Sequence, residues 1–306
     1  MVHRYKGSFS FVQGCWSLPG IAGFMLCGMV IAMCGTRPAC AQAASPAPLT
    51  PQEIIRAMAV REHDASEHHE RFAYLSSERS ARTGGHLWTE RVVETERGPV
   101  RLLLTEDGKA LSSDRVREER AKLADAIANP DEFARRQAKG DDLHGHLLLD
   151  KLPDGFLIEN VRLDHGVWHM DFRPDPAYSP TGIEDRVMHH MSGSMAIDAR
   201  QLRLIHLDGH LADGVRIGYG LLATLRAGSN FAFDKQEFEG TWRPVHVITD
   251  FHGKAILFKD INRRTEYARS EFRHLSPGTT VVQAVAMVER GGKTEPPTFA
   301  ELQKGR

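Results

Sequence analysis

The chain has 306 residues with 39 basic and 40 acidic side chains, a formal net charge of −1 at pH 7. Because the charges balance and no long basic run is visible, nucleic acid is not expected as a partner. All four cysteines lie within the first 40 residues. The rest of the chain can therefore hold no disulfide, zinc–thiolate site or cysteine nucleophile, and it must be stabilised by a hydrophobic core.

Residues 1–43 have the features of a secretory signal peptide. Arg4 and Lys6 precede an apolar run at residues 21–33, and small residues with A-x-A spacing follow up to Ala43. This order predicts export and cleavage after Ala43, and hence a periplasmic protein. The apolar run is shorter than the roughly 20 residues of a membrane-spanning helix, so no integral membrane span is expected after cleavage. An uncleaved anchor and lipid attachment at Cys34 are the alternatives.

A short Pro/Ala linker is expected at residues 44–49, followed by a single domain at residues 50–278. Thr50, Pro51 and Glu53 form a helix-start pattern, with Thr as the N-cap and Glu three residues later. Strand-like segments separated by turn residues follow, and they are interrupted by a helical insertion at about residues 113–152. For residues 279–306 we expect one further strand, at residues 281–288, and a flexible tail.

The spacing of these segments predicts the fold class. Strand signals recur every 8–12 residues outside the insertion, and no βαβ alternation is visible. This pattern is typical of antiparallel sheets and open barrels. The predicted fold is α+β, a large curved antiparallel sheet (an incomplete β-barrel) covered by helices.

Two adjacent segments resemble those of a known superfamily. Residues 191–198 (MSGSMAID) and 202–209 (LRLIHLDG), with the later residues 242–244 and 249–254, resemble the periplasmic Lol lipoprotein carriers and their lipoprotein-sorting relatives. The resemblance implies a LolA-like incomplete barrel around helices, with an apolar cavity that holds acyl chains. It also implies a lipid or acylated protein as partner, although no position here corresponds to the carriers' functional arginine.

Apolar residues at alternate strand positions are the candidate cavity residues. Methionine among them suits variable apolar ligands, whereas an ordinary filled core is the alternative for each position. The candidates are Phe156, Ile158, Trp168, Met170, Phe172, Met191, Met195, Ile197, Leu204, Phe231, Phe233, Val247 and Phe251.

Histidine-rich stretches raise the alternative of a metal-dependent hydrolase. They comprise His63, His68 and His69; Asp141, Asp142, His144 and His146; His189 and His190; and His206 and His210. No H-E-x-x-H or G-x-S-x-G motif accompanies them. We therefore expect no metal, no cofactor and no catalytic residue. The sequence predicts a non-enzymatic carrier of an apolar ligand, with an envelope sensor or scaffold that binds a protein partner as the other alternative.

Overall fold

The computed structural model describes residues 49–67, 70–138, 144–217, 223–255 and 259–290. All of these residues belong to one unit, Pro48–Arg306. The predicted signal peptide, the predicted linker except for Leu49, and the predicted tail beyond residue 290 lie outside the described residues.

The described residues form an α+β structure, as predicted, with one large antiparallel sheet and six helices. The helices are α1 (Pro51–Glu67), α2 (Ser113–Ala128), α3 (Pro130–Ala138), α4 (His144–Gly155), α5 (Ile183–Met188) and α6 (Val281–Arg290). Among these residues, no helix is long and apolar enough to cross a membrane. The strands are β1 (Phe72–Arg79), β2 (Trp88–Thr95), β3 (Gly98–Glu106), β4 (Lys109–Ala110), β5 (Phe156–Asp164), β6 (Val167–Pro174), β7 (Met191–Asp198), β8 (Leu204–Leu211), β9 (Val215–Ile217), β10 (Ala223–Leu225), β11 (Asn230–Phe238), β12 (Thr241–Ala255) and β13 (Lys259–His274).

The sheet does not close on itself. Its main path runs β4-β3-β2-β1-β13-β12-β11-β8-β7-β6-β5, and β10 and β9 branch from β12. The two ends of the path are the two-residue strand β4 and the strand β5, which is irregular between Glu159 and Arg162. The first and last thirds of the chain meet where β1 pairs with β13, the fourth and fifth strands of this path.

Local signals set the helix starts. Glu53 accepts a hydrogen bond from the Thr50 backbone N–H (2.7 Å), and the Thr50 hydroxyl accepts one from Glu53 N–H (3.3 Å), so the predicted cap of α1 is confirmed. Ser112 caps α2 by accepting from Arg115 N–H at 3.2 Å. The helical insertion is present, and Pro130 begins α3 as its fixed φ favours.

The strand predicted at residues 281–288 is wrong, because this segment is α6. Its buried residues, Val281, Ala284, Val285 and Val288, recur at the three- and four-residue spacing of one helix face. Thr280 and Gln283 cap the helix reciprocally, with Thr280 N–H donating to the Gln283 side chain at 2.9 Å. Valine favours strands, but burial of this face outweighs that propensity.

The sheet has two faces, each with its own core. Helices α1 and α4 cover one face, where Ile55, Met58 and Leu152 pack on residues of β5 to β8. Helix α6 covers β2 and β3 on the opposite face, where Val93 contributes to its core. We call these the α1 face and the α6 face. Neighbouring Val92 packs with Phe72 and Tyr74 instead, because successive strand residues point to opposite sides.

Candidate functional site

Seven of the thirteen candidate cavity residues lie in packed cores. Each exposes 3% or less of its surface. Met191 packs with Leu211 and Val215, and the other six pack with α1 and α4 residues. Over β5 to β8, the α1 face is therefore filled by protein. The seven residues are Phe156, Met170, Phe172, Met191, Met195, Ile197 and Leu204.

The other six candidates are half-buried: Ile158, Trp168, Phe231, Phe233, Val247 and Phe251. Ile158 and Trp168 lie at the β5 end of the sheet, beside the core that α1 and α4 fill. Phe231 borders this core and also the smaller cluster that Phe251 joins. These positions mark where the filled part of the α1 face gives way to a less covered part.

Strand register extends this half-buried surface across the middle of the sheet. Phe233 of β11 lies opposite Val247 of β12, which lies opposite Tyr267 of β13. Directly opposed residues in antiparallel strands present their side chains on the same face. Since Phe233 also packs against the α1–α4 core, all three residues are on the α1 face.

Aromatic rings continue along this surface. The ring centroids of Phe238 and Phe272 are 4.6 Å apart, and those of Tyr74 and Phe272 are 5.3 Å apart. We call the half-buried rings the aromatic band: Phe231, Phe233, Phe238, Tyr267 and Phe272. The sequence-based prediction omits Phe238, Tyr267 and Phe272. Strand pairing places Tyr267 on the α1 face, and ring contacts with Tyr74 and with each other place Phe272 and Phe238 there.

An irregularity in β13 explains why Phe272 could not be assigned from the sequence. Strict alternation would place Phe272 on the same side as Ala268, opposite Tyr267 and Arg269. The register between β1 and β13 shifts at this point, and the exposed Glu271 has a positive φ of 55°. The extra residue reverses the alternation, so that Arg269 and Phe272 both contact Tyr74. Only the pairing with β1 reveals this.

A buried carboxylate anchors α1 beside the aromatic band. Glu62 accepts hydrogen bonds from Arg203 Nε (2.8 Å) and Leu204 N–H (3.1 Å), and it pairs with Lys235 Nζ. Desolvation by burial raises the pKa of Glu62, but the charges and hydrogen bonds of Lys235 and Arg203 outweigh it and leave the pKa below its ordinary value.

Two arginines lie among the aromatic rings. The Arg243 guanidinium lies 5.0 Å from the Phe72 ring centroid and pairs with Glu94. The Arg269 guanidinium lies 5.0 Å from the Tyr74 ring and 4.3 Å from the Tyr267 ring. Cation–π attraction accounts for both placements. Aromatic surface with embedded cations can bind an apolar group and an anionic or hydrogen-bond-accepting group together.

A separate crevice lies between α2, α3 and the strands β2 and β3. Its volume is about 480 Å³, and its charged lining includes Arg82, Glu90, Arg101 and Glu119. Arg82 binds Glu90 at 2.6 Å, so these two charges are already paired. None of the thirteen candidate cavity residues lines it, and its lining mixes these charged groups with apolar side chains such as Leu123 and Phe133.

The α6 face carries a polar cluster on β8, β11 and β12. His206 lies 3.1 Å from Asp208 and 2.6 Å from Asp234, and these hydrogen bonds raise the pKa of His206 to about 9. The Ser194 hydroxyl donates to Asp208, a carboxylate, rather than to a histidine that could activate it as a nucleophile. Within the described residues, no group of three or more His, Cys, Asp or Glu side chains could hold a metal ion.

Several of the other histidines considered as metal ligands either lie outside the described residues or bind backbone carbonyl groups. His68, His69, Asp141 and Asp142 lie outside the described residues. His189 and His190 instead contact backbone carbonyls, those of Asp175 (3.0 Å) and Arg186 (2.6 Å). These histidines therefore contribute to local packing of the α5 region.

No protein-family model matches the chain, and comparisons with curated proteins and with solved structures give no match. The fold and the site alone define the class of protein to be considered: an open antiparallel sheet whose helix-covered face carries half-buried aromatic rings.

Proposed function

We propose that the protein binds the acyl chain of a lipid or lipoprotein on the aromatic band and shields it from water in the periplasm. The observation that carries this proposal is the contrast within one face of the sheet. Over β5 to β8 the face is filled by α1 and α4, whereas over β11 and β13 the five band rings are only half-buried. Half-buried aromatic side chains grouped on one face of a sheet are typical of binding sites.

Burial of methylene groups supplies the driving force. Each buried CH₂ contributes about 0.8 kcal/mol, so about ten of them contribute about 8 kcal/mol before the cost of association. That cost is several kcal/mol, so the rings alone would give moderate affinity. A carrier that must also release its cargo needs such an affinity.

The resemblance to the Lol carriers and the predicted signal peptide support the same function. The resemblance implies an incomplete barrel around helices, and an open sheet with α1 and α4 on one face is compatible with that arrangement. Export would place the protein where lipoproteins cross between membranes. We therefore include the LolA-like fold and the periplasmic location in the proposal.

Native mass spectrometry of the mature protein purified from the periplasm, with organic extraction of bound material, tests the function. We expect a co-purifying lipid or acylated peptide. The variant Phe233→Ala/Phe272→Ala should lose it, while Val282→Ala, at an exposed position of α6, should retain it. A ligand-free mass for the wild type, together with no binding of added fatty acid, would contradict the proposal and favour a scaffold that binds a protein partner.

A further inference from the structure

Arg269 differs from the other cations near the aromatic band. It lies in β13 between Tyr74 and Tyr267, and its Nε is buried without a hydrogen-bond partner. Among the described residues it has no carboxylate within ion-pair distance. The other cations have one: Lys235 and Arg203 pair with Glu62, Arg243 pairs with Glu94, and Arg82 pairs with Glu78 and Glu90.

The acidic side chains nearest to Arg269 form their hydrogen bonds and ion pairs with other groups. Glu78 accepts from Arg82 Nε (3.1 Å) and from the Ser80 hydroxyl (2.6 Å). Glu94 binds Arg243 and accepts from Phe72 N–H at 3.0 Å. The charges of both carboxylates act on Arg269 from a distance and help to raise its pKa, but neither carboxylate forms an ion pair with it.

The flanking tyrosines do not replace a counterion. Burial raises the pKa of the Tyr267 phenol, so this group stays neutral and keeps its proton. The ring faces attract the guanidinium but leave its Nε–H without an acceptor. A guanidinium in this state is matched by a carboxylate or phosphate, whose paired oxygens fit its planar fork.

We infer that Arg269 binds the oxyanion head group of an amphiphile whose apolar chain lies along the aromatic band. The inference rests on the proposed function, because it names the chemical class of the ligand for the same site. The ligand is an acyl compound with a carboxylate or phosphate at one end. The band rings Tyr267 and Phe272 lie on either side of Arg269 in β13, so head group and chain can be bound together.

Fluorescence titration with cis-parinaric acid and with its neutral methyl ester separates the two contributions. Because the acid adds a charge-assisted hydrogen bond, the wild type should bind it at least about tenfold more tightly than the ester. Arg269→Gln should lower the affinity for the acid to the level of the affinity for the ester, and it should leave the affinity for the ester unchanged. Arg269→Lys, which keeps the charge but not the fork, should fall between them.

Arg273→Gln is the matched control. Arg273 is an exposed arginine of the same strand, and it lies opposite Ala73, whose side chain packs in the α6-face core. This variant should bind both probes as the wild type does. Circular dichroism checks that each variant is folded. If Arg269→Gln does not fold, the comparison of wild type with Arg269→Lys still tests the inference.

Each outcome distinguishes the two proposals. Equal wild-type affinity for acid and ester, or a folded Arg269→Gln that keeps the preference for acid, overturns the inference and leaves acyl binding intact. Absence of binding by both probes overturns the inference and the proposed function together. Displacement of the acid by millimolar inorganic phosphate would assign the site to a free anion and overturn the amphiphile, whereas displacement by lysophosphatidic acid but not by free phosphate supports it.

Discussion

Glu62 of α1 and Lys235 of β11 form an ion pair between residues 173 positions apart in the chain. Both side chains are largely buried, with exposures of 4% and 12%. Arg203 adds a second cation to the same carboxylate. This cluster fixes the C-terminal half of α1 to strands that adjoin the aromatic band.

Glu62→Gln should therefore destabilise the protein. Loss of the carboxylate leaves two cations without their counterion, and we expect a decrease of about 2–4 kcal/mol in the free energy of unfolding, measured with urea at pH 7. Arg56→Ala is the control on the same helix: it breaks an exposed pair with Asp154 and should cost less than about 1 kcal/mol.

The same pair gives a pH dependence in the acid range. The pKa of Glu62 is lowered in the folded protein, so its stabilisation is present above the ordinary pKa and is lost as the pH falls through the folded value. Urea unfolding between about pH 7 and pH 3 should show a smaller loss of stability for Glu62→Gln than for the wild type. Equal acid sensitivity of the two proteins would count against the ion pair.

His206 should make the stability of the folded protein fall as the pH rises in the alkaline range. Its folded pKa of about 9 exceeds the ordinary value of 6.5, so its stabilisation is full below about pH 6.5 and is lost as the pH rises through 9. Because the side chain is 25% exposed, we expect about 1–2 kcal/mol rather than the full effect of the shift. The difference in unfolding free energy between wild type and His206→Asn should shrink from about pH 6 to about pH 10; a constant difference would contradict the prediction.

Substitution by alanine should have different consequences at two glycines that pair across neighbouring strands. Gly193 and Gly209 face each other in β7 and β8. A Cβ at Gly193 would lie 1.9 Å from the Asp208 carbonyl oxygen, whereas a Cβ at Gly209 would lie 2.5 Å from the ring of Phe231. Gly193→Ala must move backbone and should cost about 3 kcal/mol. The clash that Gly209→Ala creates can be relieved by movement of the Phe231 ring, so this substitution should change the affinity for cis-parinaric acid more than the stability. Thermal unfolding measures the stability of both variants, and titration with cis-parinaric acid measures their affinity.

A pair of aspartate substitutions distinguishes helix from strand at residues 281–290. In α6, Val282 is 56% exposed and Ala284 is fully buried, whereas a strand would place both side chains on one face. Ala284→Asp should therefore lower the melting temperature strongly, and Val282→Asp should leave it nearly unchanged. Similar effects of the two substitutions would contradict the helix.

Features that depend on neighbouring residues could be predicted from the sequence. The cap at Thr50 and Glu53 and the break at Pro130 involve contacts within four residues, and both are where the sequence indicates. The strand prediction for residues 281–288 is wrong because it gives the β-propensity of valine more weight than the spacing of the apolar residues. The helical spacing of Val281, Ala284, Val285 and Val288 is equally visible in the sequence.

The candidate site could be predicted only in part, because its character is set by distant contacts. Phe233 and Met195 follow the same alternating pattern, yet one is half-buried and the other is in a core. The difference depends on where α1 and α4 pack. Arg269 is absent from the sequence-based candidates, since its lack of a carboxylate partner depends on the pairing of Glu78 with nearby Arg82 and of Glu94 with distant Arg243.

The two ends of the sheet affect how the molecule behaves among its own copies. An open sheet offers unpaired backbone groups at its edges, which can recruit strands from other chains. Here β4 (Lys109–Ala110) pairs only with Thr105 and Glu106, so residues 98–104 of β3 also form this edge, where helices α2 and α3 contact β3. The other edge strand, β5, is interrupted by an irregularity between Glu159 and Arg162. Short, charged or interrupted edges discourage strand addition. These features therefore oppose polymerisation through the two ends of the sheet.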